Sequence, residues 1–170
     1  MADDQQTPPA GTGTSGNGST EDGAQAGIIA QYVKDLSFEN PQGARSLQQV
    51  GQEQPKIDIS INVNAARVGD EAYEVALNIT AKAQSGEVNT FLIELVYAGL
   101  FAVKNLPDEH LEQFLLIECP RILFPFARRV VADATRDGGF PPLLLEPIDF
   151  GLLYQKHLEA RQQEAAQPSD

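Results

Sequence analysis

Three sets of residues in this chain have types and spacings that could carry chemistry: a glycine-rich run, a lone cysteine with two histidines, and a group of carboxylates. Gly11-Thr12-Gly13-Thr14-Ser15-Gly16 has the GxGxxG spacing of a dinucleotide-binding loop. Such a loop cradles a pyrophosphate only where a strand enters it and a helix leaves it. Both flanks here are polar and low in complexity, so the context refutes the match. Cys119, His110 and His157 show none of the CxxC or HxxxH spacing that a metal centre needs. Cys119, on an apolar stripe and followed by Pro120, reads as a small core residue, and His157 beside Leu158 as a partly buried amphipathic side chain. No GxSxG elbow occurs. No catalytic residue, metal or cofactor is therefore expected.

The carboxylates are more informative. Asp35 and Glu39 lie four apart in an extended run, on the same side and about 13 Å from each other at the usual strand rise. Leu92 and Glu94 share one face of a later strand in the same way. If those two strands are neighbours, the four residues form a negative patch with a leucine in it, suited to docking a basic partner. The competing reading is an ordinary solvated strand face, because surface charges are common.

Composition narrows the classes further. The 170 residues carry 24 Asp+Glu against 12 Lys+Arg, a net charge of −12, which disfavours nucleic acid or an anionic lipid surface as ligand. One cysteine permits no internal disulfide, and the start MADDQQTPPA has neither the basic region nor the apolar core of a secretory signal, so a reducing cytoplasm is expected. For the same reason Asn17-Gly18-Ser19 and Asn78-Ile79-Thr80, which fit the glycosylation acceptor, are chance matches. Residues 1–26, acidic, Gly-rich and without aromatic or basic side chains, should be a disordered tail, residues 27–163 one domain, and residues 164–170 a flexible C-terminal tail.

Hydrophobic periodicity supplies the elements that must hold these residues. Period-two alternation marks strands in QYVKDLSFEN, with Tyr32, Lys34, Leu36 and Phe38 opposite Val33, Asp35, Ser37 and Glu39, and in KIDISINV, with Ile57, Ile59, Ile61 and Val63 on one side. YEVALNITAK and the doubly apolar TFLIELVYAG give two more. The long NPQGARSLQQVGQEQP connection can cross the sheet, so that the first strand pairs with the fourth in the Greek-key order 2-3-4-1. Leu111, Phe114, Leu115, Cys119, Ile122, Phe126, Val130 and Ala134 form a helical stripe. Pro120 and Pro125 are expected to split it into helices near 108–119 and 122–137. FPPLLLEP must be extended, and Asp149 should cap a last helix to about residue 163 with Phe150, Leu153, Tyr154, His157 and Leu158 along one face. The class is α+β, a four-stranded antiparallel sheet with its C-terminal helices on one side.

YVKDLSFENP, YEVALNITA, GEVNTFLIELVYAGLFAV, CPRILFPFARR and GGFPPLLLEPIDFGLLY together resemble the SecB protein-export chaperones, over nearly all of residues 29–160. The resemblance implies a cytoplasmic homotetramer, a dimer of dimers, that uses no ATP, holds unfolded secretory precursors and delivers them to the translocation ATPase SecA. It assigns SecA docking to Asp35, Glu39, Leu92 and Glu94, the patch reached above from spacing. It places client grooves between the crossing connection, the second strand and the last helix, which on this chain implies Leu47, Val50, Ile57, Ile59, Phe150 and Tyr154. A SecB-like chaperone or adaptor dedicated to one partner, such as an antitoxin, is the rival reading. An enzyme built on Glu94 or His110 is the third, and it requires a polar, enclosed pocket with convergent titratable groups.

Overall fold

A computed structural model describes residues 23–49 and 54–166 of the chain. Residues 1–22, Val50 and 167–170, on which part of the expected tails and one groove residue fall, lie outside the described residues. Four strands, β1 (Gln25–Glu39), β2 (Lys56–Arg67), β3 (Ala72–Ser85) and β4 (Val88–Lys104), form one antiparallel sheet in the order β1-β4-β3-β2. This is the Greek-key order expected: the 40–55 connection carries the chain across, so β1 pairs with β4. That connection holds one short helix, α1 (Ala44–Gln49), which periodicity did not reveal. The fully packed Ser46 hydroxyl donates to Asn40 Oδ1 at 2.7 Å and approaches the Gly43 carbonyl at 2.8 Å, which ties α1 to the end of β1.

The alternation in β3 and β4 sorts the two faces cleanly. Val75, Leu77, Ile79, Ala81 and Ala83 on β3, with Phe91, Ile93, Leu95, Tyr97 and Phe101 on β4, are buried under the helices. At about 1.5–3 kcal/mol for each large side chain removed from water, this face drives the fold. Glu74, Asn78, Thr80 and Lys82, with Leu92, Glu94 and Val96, point to the opposite face, which no helix among the described residues covers. Gly99 explains how closely the helix layer approaches, since a Cβ there would sit 2.7 Å from Leu123 Cδ2 and 2.8 Å from the Phe101 ring.

The helical half departs from expectation at its prolines. In place of two helices separated near residue 120, α2 (Asp108–Gln113) passes through a π-helical turn, Phe114–Glu118, straight into α3 (Cys119–Asp137). The Cys119 N–H reaches back five residues to the Phe114 carbonyl. This wide turn directly precedes Pro120, which lacks the N–H an α-helical turn would use, and Pro120 then occupies the first turn of α3, where prolines are tolerated. Pro125 stays inside α3, on its exposed side. The stripe is also rotated from the one expected. Leu115, Cys119, Leu123, Phe124, Ala127 and Val131 are buried, whereas Ile122 and Phe126 are exposed in the single chain at 44% and 41%.

Gly138 ends α3, and Gly139 turns the chain at φ +89°, a conformation open to glycine. The proline-rich segment after it is extended, as expected, and is pinned by a buried hydroxyl: Thr135 Oγ1 donates within α3 to the Val131 carbonyl and accepts the Leu143 N–H at 2.9 Å. Asp149 Oδ1 then accepts the Leu152 N–H at 3.0 Å and caps α4 (Phe150–Ala166). Two boundaries lie beyond those expected, because β1 already pairs with β4 at Gln25 and α4 continues to Ala166.

Candidate functional site: two faces of one sheet

The open face gathers the four acidic-patch residues. In the β1–β4 register Asp35 is opposite Val96, Ser37 opposite Glu94 and Glu39 opposite Leu92, so Asp35, Glu39, Leu92 and Glu94 share one face of two adjacent strands. Asp35, Glu39 and Glu94 are exposed and Leu92 is half-buried.

Simple alternation misassigned the residues next to them. A β-bulge interrupts the register between Val33 and Asp35, so Lys34 is the extra residue, and both Lys34 and Asp35 emerge on the open face. Tyr32 is there too. Lys34 Nζ pairs with Glu74 Oε1 at 2.5 Å and the Tyr32 hydroxyl donates to Glu74 Oε2. Glu74 belongs to β3, so both side chains reach across β4 to meet it. The hydrogen bonds from Lys34 and then Tyr32 hold the Glu74 carboxyl below the usual glutamate range, while donating that bond to a carboxylate keeps the Tyr32 phenol above its own. Nothing in the period-two pattern signals this network. An unbroken polar–polar pair, Lys34-Asp35, in the middle of an otherwise alternating strand is the one sequence cue.

The helix-side face becomes a groove where its cover runs out. Ala81 and Ala83 on β3 are fully buried, but their register partners on β2, Ile59 and Ile57, are 46% and 37% exposed. Farther along β2, an open groove of about 870 Å³ lies between Ile61 and Val63, Leu111, Leu115 and Leu116 of the α2 region, and Leu153 and Tyr154 of α4. Asp108, Glu112, Lys156 and His157 contribute to its lining. Glu112 also accepts from Arg161 at 3.2 Å, tying α2 to α4. Loss of water contact, and after it the Glu112 charge, push the Tyr154 phenol above its usual range.

Of the groove residues implied by resemblance, Ile57, Ile59 and Tyr154 therefore line exposed apolar surface. Leu47, 44% exposed on α1, lies against Gly139, where an added Cβ would come within 2.8 Å of its Cδ2. Phe150 does not line the groove. It is 1% exposed and packs edge-on against Phe124 with ring centroids 5.8 Å apart, because it is the anchoring first residue of α4. His157 is exposed and not partly buried.

Glu94 and His110, the residues of the enzyme reading, are not brought together. Glu94 projects from the open face and His110 from α2 in the helix layer, and the groove is open and largely apolar. Cys119 is fully buried, and desolvation, with Glu118 adding to it, raises its thiol to about 12, so it holds its proton.

Comparison with known proteins agrees with this architecture. The family model described as preprotein translocase subunit SecB matches residues 19–161. The "Protein-export protein SecB" of Rhodopseudomonas palustris strain TIE-1 is 54% identical over 158 residues, covering 92% of this chain and 99% of that one. That of Rhizorhabdus wittichii is 58% identical over 135 residues, covering 79% and 80%. Among solved structures, a Mycobacterium tuberculosis SecB-like chaperone in complex with an antitoxin peptide shares the fold, with a TM-score of 0.61 at 17% identity, over 72% of this chain and 90% of that one. With a family match across most of its length and relatives above half identity, the chain belongs to the SecB family of protein-export chaperones.

Proposed function

We propose that this chain holds unfolded precursor proteins through the helix-side groove and presents them to SecA through the open face, as a cytoplasmic homotetramer that needs neither ATP nor catalysis. The observation that carries this reading is the placement of two chemically different exposed surfaces on opposite sides of one sheet. Ile57, Ile59, Ile61, Val63 and Tyr154 offer apolar contact along a free strand, which suits many client sequences because hydrophobic and main-chain contacts tolerate variation. Asp35, Glu39 and Glu94 offer charge, which suits one basic partner. Leu47, exposed on α1, extends the client surface along the crossing connection. Exposed Ile122 and Phe126 on α3 support assembly, since apolar side chains one helical turn apart on a solvent face favour a further copy of the chain.

Opposite faces should be occupied together. The test measures binding of purified SecA and of an unfolded precursor to the full chain, first separately and then as a mixture. The reading expects both binary complexes and a ternary one. Failure to hold the unfolded precursor, or displacement of the precursor by SecA at equilibrium without any ternary species, overturns it. A chain dedicated to one antitoxin would instead ignore unrelated unfolded precursors.

A further inference from the structure

We propose that Glu74 is a positioning residue for the docking face: it withdraws the Lys34 charge from the acidic patch and so sets the strength and specificity with which a basic partner is recognised. This deepens the open-face assignment and rests on it. The bulge at Lys34 brings a cation onto the same face as Asp35, its chain neighbour. Left free, an ammonium on a four-carbon stem would sit beside that carboxylate and cancel it. It is not left free. Its Nζ is held by Glu74, which is opposite Leu100 on β4, while Asp35 is opposite Val96. Four residues of strand separate those rows, about 13 Å, so the ammonium is turned along the strand away from Asp35 and neutralised by the Glu74 carboxylate.

Glu74 is suited to the task, since its side chain is only 20% exposed, against 52% for Lys34, and the Tyr32 hydroxyl fixes its second oxygen. Ala76 and Ala98, in the register row of Tyr32, are buried although they belong to the open face, consistent with a phenol lying across β4. The patch thus presents Asp35, Glu39 and Glu94 with their nearest cation on β1 engaged elsewhere. A partner with a basic segment meets carboxylates that Lys34 no longer offsets, while Lys82, in the register row of Glu39 and Leu92, is the cation that stays beside the patch.

The test uses purified SecA as the probe and the full chain in low salt, with Glu94→Lys as a control. Glu74→Gln should weaken SecA binding by about two- to five-fold, the range expected for an exposed charge contact, and the loss should vanish in high salt. Lys34→Gln should not weaken binding. Glu74→Gln with Lys34→Gln should bind as Lys34→Gln does, a rescue that a merely structural role for Glu74 would not give. Particle mass and client holding should be unchanged in all of these. If Glu94→Lys weakens binding but Glu74→Gln does not, or Lys34→Gln fails to rescue it, the role of Glu74 is overturned. If Glu94→Lys binds like wild type, the docking assignment itself fails.

Discussion

The two faces of the sheet use the same strands for opposite ends. On the helix side, β3 and β4 present Val75 to Ala83 and Phe91 to Phe101 to a packed core, while the outer strands β2 and β1 are largely exposed. On the open side the same strands show Thr80, Lys82 and Glu94 to water, and order there comes from long-range polar contacts across strands. Apolar surface is arranged by what covers it and charged surface by what neutralises it. Recognition on the first face should therefore depend on area and on the second on sign.

Substitutions can be chosen to break that division. The largest effect belongs to the core: Phe150→Ala should cost about 3–5 kcal/mol of stability by urea denaturation, because Phe150 is 1% exposed. A cost near zero would return Phe150 to the groove. Replacing Ile57 and Ile59 together by Asp should weaken client holding by about 2 kcal/mol, roughly one for each isoleucine that no longer meets the client, with little change in stability, since both are more than a third exposed. SecA binding should be untouched, and a parallel loss of it would abolish the separation of faces. Glu94→Lys should reverse the pattern, weakening SecA by about 1–2 kcal/mol in low salt while clients are held as before. The smallest effect is on pH dependence. The Glu74 carboxyl lies below its ordinary range in the folded chain, so its stabilisation is complete above that range and lost as pH falls through the lowered value. Wild type should exceed Glu74→Gln by under about 1 kcal/mol at pH 7, since Lys34 is half exposed and solvent screens the pair, and the gap should narrow as pH falls below the ordinary glutamate range in the same urea assay.

Much of this was legible in the sequence, and the failures have specific causes. Alternation located β2 and β3 because each keeps its apolar residues on one side, those of β3 pressed on the core and those of β2 largely exposed, a doubly apolar run marked β4, and the length of the 40–55 connection indicated the crossing. The same rule misplaced Lys34 because β1 is exposed along most of its length and tolerates an inserted residue that a buried strand would reject. Prolines suggested a break between helices, whereas the chain widened one turn and continued. Ile122 and Phe126 entered the predicted stripe because spacing ranks hydrophobicity without knowing that Leu123 and Ala127 face the sheet. Asp35, Glu39, Leu92 and Glu94 were placed together correctly because period-two geometry needs only strand order. Phe150 was not, since a helix's first residue can anchor the core while the next turn lines a surface.

The bulges of β1 also bear on solubility. The strand is fifteen residues long, stands at the margin of the sheet and exposes Ile28, Ile29, Val33 and Leu36. A long, regular and apolar margin invites any stray extended chain to add to it, a route to aggregation. Here the ladder is broken after Ile28 and again after Val33, so its longest uninterrupted run is Asp35–Glu39, which carries two carboxylates. A foreign strand must either end within a few residues or reproduce both irregularities. For a protein whose work keeps unfolded chains close by, that discourages its own sheet from becoming their template.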